Sequence, residues 1–342
     1  MRVDLRSDTL TIPTAPMRAA MAGAVVGDDV YGEDPTVNEF EAEVAELLGH
    51  EAGLFCATGS LANLLGVWLL VDRGEEVLCE SRAHIARAEM GAHAALHGVT
   101  MRTWSDPSGG ADLEQIRRLA SPSAGPYLVS TTAIAIENTH NFAGGTVLAV
   151  DAVRDLAQYC RDVGLGLHLD GARLWNAQVA TGVAARDYAS VCDTVSVCFS
   201  KGLGAPVGSV LVSSKDGIAR ARAQRKRLGG GWRQAGPLAA AARFALHRHV
   251  DRLADDHANA RLFAETVADR APDAVDSAEA ETNIVICGTG SRTAVEVVAR
   301  AGDEGIALSA VGAHAVRAVT HMGVDERGCR VAGDVVGRIL AG

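Results

Sequence analysis

Aromatic residues are scarce in this 342-residue chain: Phe, Trp and Tyr together make up 4% of it. A core has to be built from Val, Leu, Ile and Ala instead. Lysine is scarcer still. Of 32 basic residues only Lys201, Lys215 and Lys226 are lysines. The net charge of −10 excludes the basic footprint of a nucleic-acid partner and the polybasic face of an anionic-membrane partner. The longest apolar run, residues 61–71, contains Asn63 and is far below the ~20 residues a membrane span needs. The N-terminus lacks the apolar stretch of a secretory signal. Seven cysteines, odd in number and free of any CxxC pair, make neither a disulfide framework nor a zinc site. No histidine pair has zinc-ligand spacing with a third partner, so no catalytic metal is expected. With 48% hydrophobic and 22% charged residues, the chain reads as a cytoplasmic enzyme or binding protein of ~2 domains.

Between about residues 35 and 215, short apolar runs alternate with helical patterns. Pro35 suits a first helical position and Gly49 a stop, which predicts a helix over 34–48. Strands are predicted at 52–57, 76–79, 127–136, 165–169 and 194–199, with helices at 61–70, 85–96 and 152–160. That alternation implies an α/β fold, a mostly parallel sheet covered by helices. Residues 208–213 follow too soon for a helical crossover and should pair antiparallel. Helices at 218–227, 237–248 and 251–270 and weak strands at 284–287, 306–309 and 316–320 predict a smaller C-terminal α+β unit. The boundary is placed at 240, giving domains 1–240 and 241–342.

Two strand ends carry the strongest chemical signal. Leu165-Gly-Leu-His168-Leu-Asp170-Gly-Ala-Arg173 puts an Asp and an Arg where a buried strand leaves the sheet. Val195-Ser-Val-Cys-Phe-Ser200-Lys201-Gly-Leu-Gly does the same with a lysine. Ligands of open α/β sheets bind outside the carboxyl ends of the strands. A lysine flanked there by apolar residues loses its proton more easily, as Schiff-base chemistry requires. A nearby carboxylate would suit the ring nitrogen of pyridoxal phosphate. Residue types alone leave a second reading open, in which Asp170 and Arg173 form a strand-end ion pair and Lys201 is solvated. Phe55-Cys-Ala-Thr58-Gly59-Ser60 is strand, glycine turn and helix, whose free N–H groups make an anion site. Any N-cap looks similar, and no P-loop is present. Residues 202–208 imitate a dinucleotide fingerprint but precede a strand and contain Pro206, so that reading fails. His247 and His249, two apart on a helix, are expected on the surface; His168 is expected to pack within the sheet. His84 opens a helix at the same sheet edge, either as a functional group or as an ordinary helix-start residue.

Taken together, the ordered motifs resemble the L-threonine aldolases of low specificity, within the aspartate-aminotransferase-like, fold type I pyridoxal-phosphate enzymes. The motifs are Asp4-Leu-Arg-Ser7-Asp-Thr, Gly27-Asp-Asp-Val-Tyr31-Gly-Glu-Asp-Pro-Thr, Ala57-Thr-Gly59, Glu137-Asn-Thr-His140-Asn, His168-Leu-Asp170-Gly-Ala-Arg173, Ser200-Lys201-Gly-Leu-Gly, Gly229-Gly-Gly-Trp-Arg233-Gln and Val316-Arg317-Ala-Val-Thr-His321. The resemblance implies that pyridoxal 5'-phosphate is the cofactor and Lys201 its Schiff-base lysine. By the same resemblance Asp170 is the ring-nitrogen partner and His84 the imidazole stacked on the ring. Gly59, Ser60, Ser200 and Arg233 match the phosphate cradle, Arg233 reaching in from a neighbouring subunit. Ser7, Arg173 and Arg317 match the groups that hold the substrate carboxylate, and Tyr31 joins the substrate-binding set. The family commonly has a second active-site histidine where this chain has Tyr127, which is assigned to the substrate hydroxyl. The implied activity is cleavage of L-threonine, L-allo-threonine and related 3-hydroxy amino acids to glycine and an aldehyde, in a homotetramer built as a dimer of dimers. The alternatives are phenylserine aldolase chemistry or a β-eliminating lyase on the same fold.

Overall fold

The computed structural model describes residues 2–342. A two-residue strand β1 (Val3–Asp4) comes first. The central sheet is built from β2 (Ala52–Cys56), β3 (Glu76–Glu80), β4 (Thr100–Trp104), β5 (Thr131–Glu137), β6 (Gly166–Gly171), β7 (Thr194–Cys198) and β8 (Ser209–Ser213), in spatial order β2-β8-β7-β6-β5-β3-β4. Pairs β7–β6, β6–β5, β5–β3 and β3–β4 are parallel. As the short connection predicts, β8 runs antiparallel to β7; it is also antiparallel to β2. Two reversals give β2 the direction of β7. The carboxyl ends of β2, β3, β5, β6 and β7 therefore open on one sheet edge, with Asp170 in register with Glu137.

Local chemistry accounts for the elements that frame this edge. Asp34 caps the helix Pro35–Leu48 by accepting the Val37 N–H at 3.1 Å, and Gly49, at φ 78°, ends it. The helix Gly59–Leu70 is apolar nearly all round and lies flat on the sheet. It approaches closely because Gly66 has no side chain: a Cβ there would come within 2.6 Å of the His168 ring. The main core, from Val37, Leu78 and Ile134 through Leu169, Val197 and Leu253, is mostly aliphatic, with few but fully buried aromatics such as Phe40, Phe55 and Phe199.

A smaller unit follows, with β9 (Ile284–Gly288), β10 (Ile306–Ala307), β11 (Ser309–Ala310) and β12 (Ala315–Val319). Strands β11-β12-β9 form an antiparallel sheet, and β10 pairs in parallel with β1. Val3 and Leu5 pack into this unit's core with Phe263, Val297 and Val336, so the N-terminal arm is held by the C-terminal part of the chain.

Several local expectations differ from what is seen. The helix expected over 85–96 is one turn, His84–Arg87, followed by a break at Met90 and Gly91, both at positive φ, and a short wide-turn helix, His93–His97. The weak strand expected at 306–309 is divided at Leu308. The strand expected from Tyr127 begins at Thr131. His249 is buried, its Nδ1 2.7 Å from the Leu203 carbonyl, while His247 is exposed and pairs with Glu43.

Candidate active site

The turn after β2 is the simplest part of the site. Thr58 caps the next helix, its hydroxyl accepting the Leu61 N–H at 3.1 Å. The first helical N–H groups, at Gly59 and Ser60, are thereby left for an anion, aided by the helix dipole. A Cβ on Gly59 would meet only Ser209 Oγ, at 3.7 Å, and that hydroxyl is buried without a partner. A missing Cβ, open N–H groups and an orphaned hydroxyl fit a phosphate group. Ser200 sits across from this turn at the end of β7, its Oγ 3.3 Å from Cys198 Sγ.

Asp170 ends β6 almost fully buried. Its Oδ1 accepts the Ala172 N–H at 3.0 Å and its Oδ2 accepts an Asn63 amide proton at 2.8 Å. The other Asn63 amide contact runs to Glu89 Oε1, at 2.9 Å. Two carboxylate acceptors fix the orientation of the Asn63 amide, so its oxygen must receive protons. It does so from Ser196 Oγ and from His168 Nε2, 3.1 Å away. His168 is therefore the Nε2–H tautomer. Burial holds its pKa down to about 4, which keeps it neutral. Packing within the sheet, expected for His168, is what the structure shows.

His84 stands at the end of β3, its backbone N–H donating to Glu137 at 2.6 Å. Its Nδ1 lies 2.9 Å from Glu89 Oε1, and His93 Nε2 lies 3.0 Å from the other Glu89 oxygen. Burial alone would lower the His84 pKa. The Glu89 hydrogen bond and the charges of Asp170 and Glu89 outweigh it, and His84 titrates above its ordinary value. Burial likewise opposes ionisation of Glu89, but its bonds from His84, His93 and Asn63 bring it down to about 2. Nδ1 is thus committed to Glu89, and Nε2 is the nitrogen left for a ligand. His84, Glu89 and Asp170 also place three ligand atoms within 4.8 Å of one another, a grouping that sequence spacing did not reveal.

Lys201 follows β7. Its carbonyl accepts the Thr11 hydroxyl at 2.8 Å, and its charge reaches both Asp8 and His84. Arg173, expected at the strand end, is buried and paired, but with Asp8 rather than Asp170: Nε and Nη2 contact the two carboxylate oxygens at 2.8 and 2.7 Å. That corrects the alternative reading of an Asp170–Arg173 ion pair. Arg317 comes from β12 to the same place, its Nη1 2.7 Å from Asn141 Oδ1. Ser7 caps the short turn Asp8–Leu10, its hydroxyl accepting from Thr9.

The fold brings Lys201, Asp170, His84, Gly59, Ser60, Ser200, Ser7, Arg173 and Arg317 to one sheet edge. It leaves three sequence candidates outside. Tyr127 is 94% exposed ahead of β5, Tyr31 is 76% exposed, and the half-exposed or more Arg233 side chain lies 3.5 Å from Asp28. Asn63, Glu89 and Asp8 belong to the site and were not singled out from sequence. For Asn63 a signal existed, an amide inside the chain's longest apolar run.

Comparison with known proteins agrees with this geometry. The beta-eliminating lyase family matches residues 4–289. Low-specificity L-threonine aldolase 1 of Arabidopsis thaliana is 41% identical over 325 residues, covering 93% of this chain and 91% of that protein. The structure of the Leishmania major threonine aldolase superposes with a TM-score of 0.84 at 20% identity, covering 98% of this chain and 99% of that one. A Thermus thermophilus aspartate aminotransferase gives 0.77 at 15% identity, with 99% and 91% covered. The likeness to these structures shows an aspartate-aminotransferase-like, fold type I architecture. No helix among the described residues is long and apolar enough to cross a membrane. Similar along almost its whole length to a low-specificity L-threonine aldolase, the chain belongs to the beta-eliminating lyase family and is a lyase of its threonine aldolase branch.

Proposed function

We propose that this lyase uses pyridoxal 5'-phosphate to cleave L-threonine, L-allo-threonine and related 3-hydroxy amino acids to glycine and an aldehyde. The observation that carries the reading is the convergence of Lys201, the buried Asp170 and His84 at the carboxyl edge of β7, β6 and β3. When bound, the cofactor supplies an electron sink for the Cα–Cβ bond. Lys201 would hold it covalently, and Gly59, Ser60 and Ser200 would cradle its phosphate, joined by Arg233. Asp170, kept in place by Asn63 and Ala172, would pair with the cofactor's ring nitrogen and favour its protonated form. Ser7, Arg173 and Arg317 orient the substrate through its carboxylate. A planar guanidinium suits that bidentate task. His84 Nε2 is the group available to receive the β-hydroxyl proton, with Glu89 stabilising the imidazolium through Nδ1.

Exposure of Tyr31 and Arg233 in the single chain supports an assembly in which each completes a neighbour's site, and the resemblance makes that assembly a homotetramer built as a dimer of dimers. Tyr127 stands outside the site of its own chain, and its assignment to the substrate hydroxyl rests on resemblance alone. We place the enzyme in the cytoplasm and assign it small-molecule substrates only. The family's name favours one second reading, β-elimination. A product assay with L-threonine separates the two: equal glycine and acetaldehyde are expected, whereas 2-oxobutyrate and ammonia would establish elimination.

A further inference from the structure

The carboxylate clamp has a charge arrangement that its arginines alone do not explain. Two guanidiniums lie together: Arg173, 5% exposed, and the partly buried Arg317. Burial, and then the charge of Arg173, pull the Arg317 pKa down to about 10, against the opposing pull of Asp8. Asp8 is the carboxylate bonded to Arg173, whereas Glu137, whose charge also acts on Arg173, is committed to the backbone N–H groups of His84 and Asn141. Asp8 is fully buried, occupies the Nε/Nη2 edge of Arg173, and accepts an Asn283 amide proton at 3.1 Å. Burial would raise the Asp8 pKa, but the Arg173 charge and hydrogen bond, with Lys201 behind them, hold it at about 2. Asp8 is therefore ionised throughout the working range, so Arg173, Arg317 and Asp8 together carry one positive charge.

Asn141 supplies the geometry. Its Oδ1 accepts from Arg317 Nη1 at 2.7 Å and lies 3.4 Å from Arg173 Nη1, so one neutral oxygen gathers both guanidiniums. The Asn141 backbone is itself pinned, its N–H donating to Glu137 at 2.8 Å. Arg317 Nε is buried with no partner, a donor still to be satisfied. Arg173 comes from the end of β6 and Arg317 from β12 of the smaller unit, so nothing in either strand alone brings them together.

We propose that Asp8 and Asn141 are positioning residues of the carboxylate clamp. Asp8 locks the inner edge of Arg173, and Asn141 draws the outer nitrogens of Arg173 and Arg317 to one point without adding charge. The trio of Arg173, Arg317 and Asp8 then carries one net positive charge, matched to one carboxylate. Neutrality at Asn141 is the essential feature, because an anion there would compete with the substrate for the same nitrogens. This inference rests on the proposed substrate-binding role of Arg173 and Arg317.

The test titrates the cofactor-loaded enzyme with glycine, and with methylamine, which has the amine but no carboxylate. Parent enzyme should bind glycine much the more tightly; equal binding of the two would refute the clamp itself. Asn141→Asp should weaken glycine binding by about tenfold or more, the scale of one competing charge-assisted contact, and raise KM for L-threonine more than it lowers kcat. Methylamine binding should not change. Asn141→Leu, isosteric but without the acceptor, is the second variant should the first not fold, and it should weaken glycine alone in the same way. Asp8→Asn should also act on glycine and KM while sparing methylamine. With the parent preference intact, equal losses for glycine and methylamine, or none for glycine, would overturn the proposal and leave the clamp standing.

Discussion

At the scale of single residues, the candidate site is built from charged groups whose hydrogen-bond partners are fixed. Asp170 is held by two donors, so Asp170→Asn keeps the size, removes the charge and turns one of the two acceptors into a donor facing an N–H. Turnover should fall by about a hundredfold or more, the scale for removing one preorganised electrostatic partner, with cofactor still bound. Unchanged turnover would make the carboxylate purely structural. The His84–Glu89 pair predicts a pH effect. Glu89 helps hold the His84 pKa above its ordinary value, so Glu89→Gln should move the acid limb of the kcat/KM profile to lower pH. A limb that moves up, or stays, contradicts the assignment. The pair also links pH to folding, and the sign differs for its two members. The raised His84 pKa stabilises the fold fully below 6.5 and loses that contribution as pH rises through the raised value. The depressed Glu89 pKa contributes above 4.5 and loses its share as pH falls toward about 2. Both contributions are therefore complete together between those two ordinary values.

At the scale of elements, the helix Gly59–Leu70 does two tasks: its first turn faces the anion site, and Asn63, one turn on, ties Asp170 to Glu89. Gly66 lets the helix lie against His168, so Gly66→Ala should cost about 1–3 kcal/mol in overpacking, read from chemical denaturation, and loosen Asp170 as well. A neutral Gly66→Ala would show that the close approach is not needed. The elements that sequence revealed were those with strong apolar patterning, which is why Asp170, Lys201 and Thr58 could be placed at strand ends. The strand β4 escaped because it is an edge strand with polar Thr100, Arg102 and Thr103 and only Trp104 buried. The break after His84 escaped because an isolated Gly91 is tolerated inside a helical pattern and Met90, also at positive φ, adds no signal of its own. Roles for Glu89 and Asp8 depend on partners far away in sequence, which periodicity does not encode.

At the scale of the whole molecule, the candidate site is assembled from distant parts of the chain. The N-terminal strand β1 pairs with β10, and that attachment sets Asp8 beside Arg173, while β12 delivers Arg317. The proposed tetramer extends the same logic between subunits. If Arg233 serves a neighbour's phosphate site, Lys201→Ala and Arg233→Ala enzymes, each nearly inactive, should regain activity when subunits are exchanged by mixing. Mixtures no better than their parts would confine each site to one chain.

The scarcity of lysine gives the most direct test of the whole account. With only Lys201, Lys215 and Lys226 available, borohydride reduction of the cofactor-loaded enzyme, followed by peptide mass spectrometry, must place any lysine-borne label on one of three side chains. The account predicts the label on Lys201 and its loss in Lys201→Ala; a label on Lys215 or Lys226, or one that survives unchanged in Lys201→Ala, would contradict it.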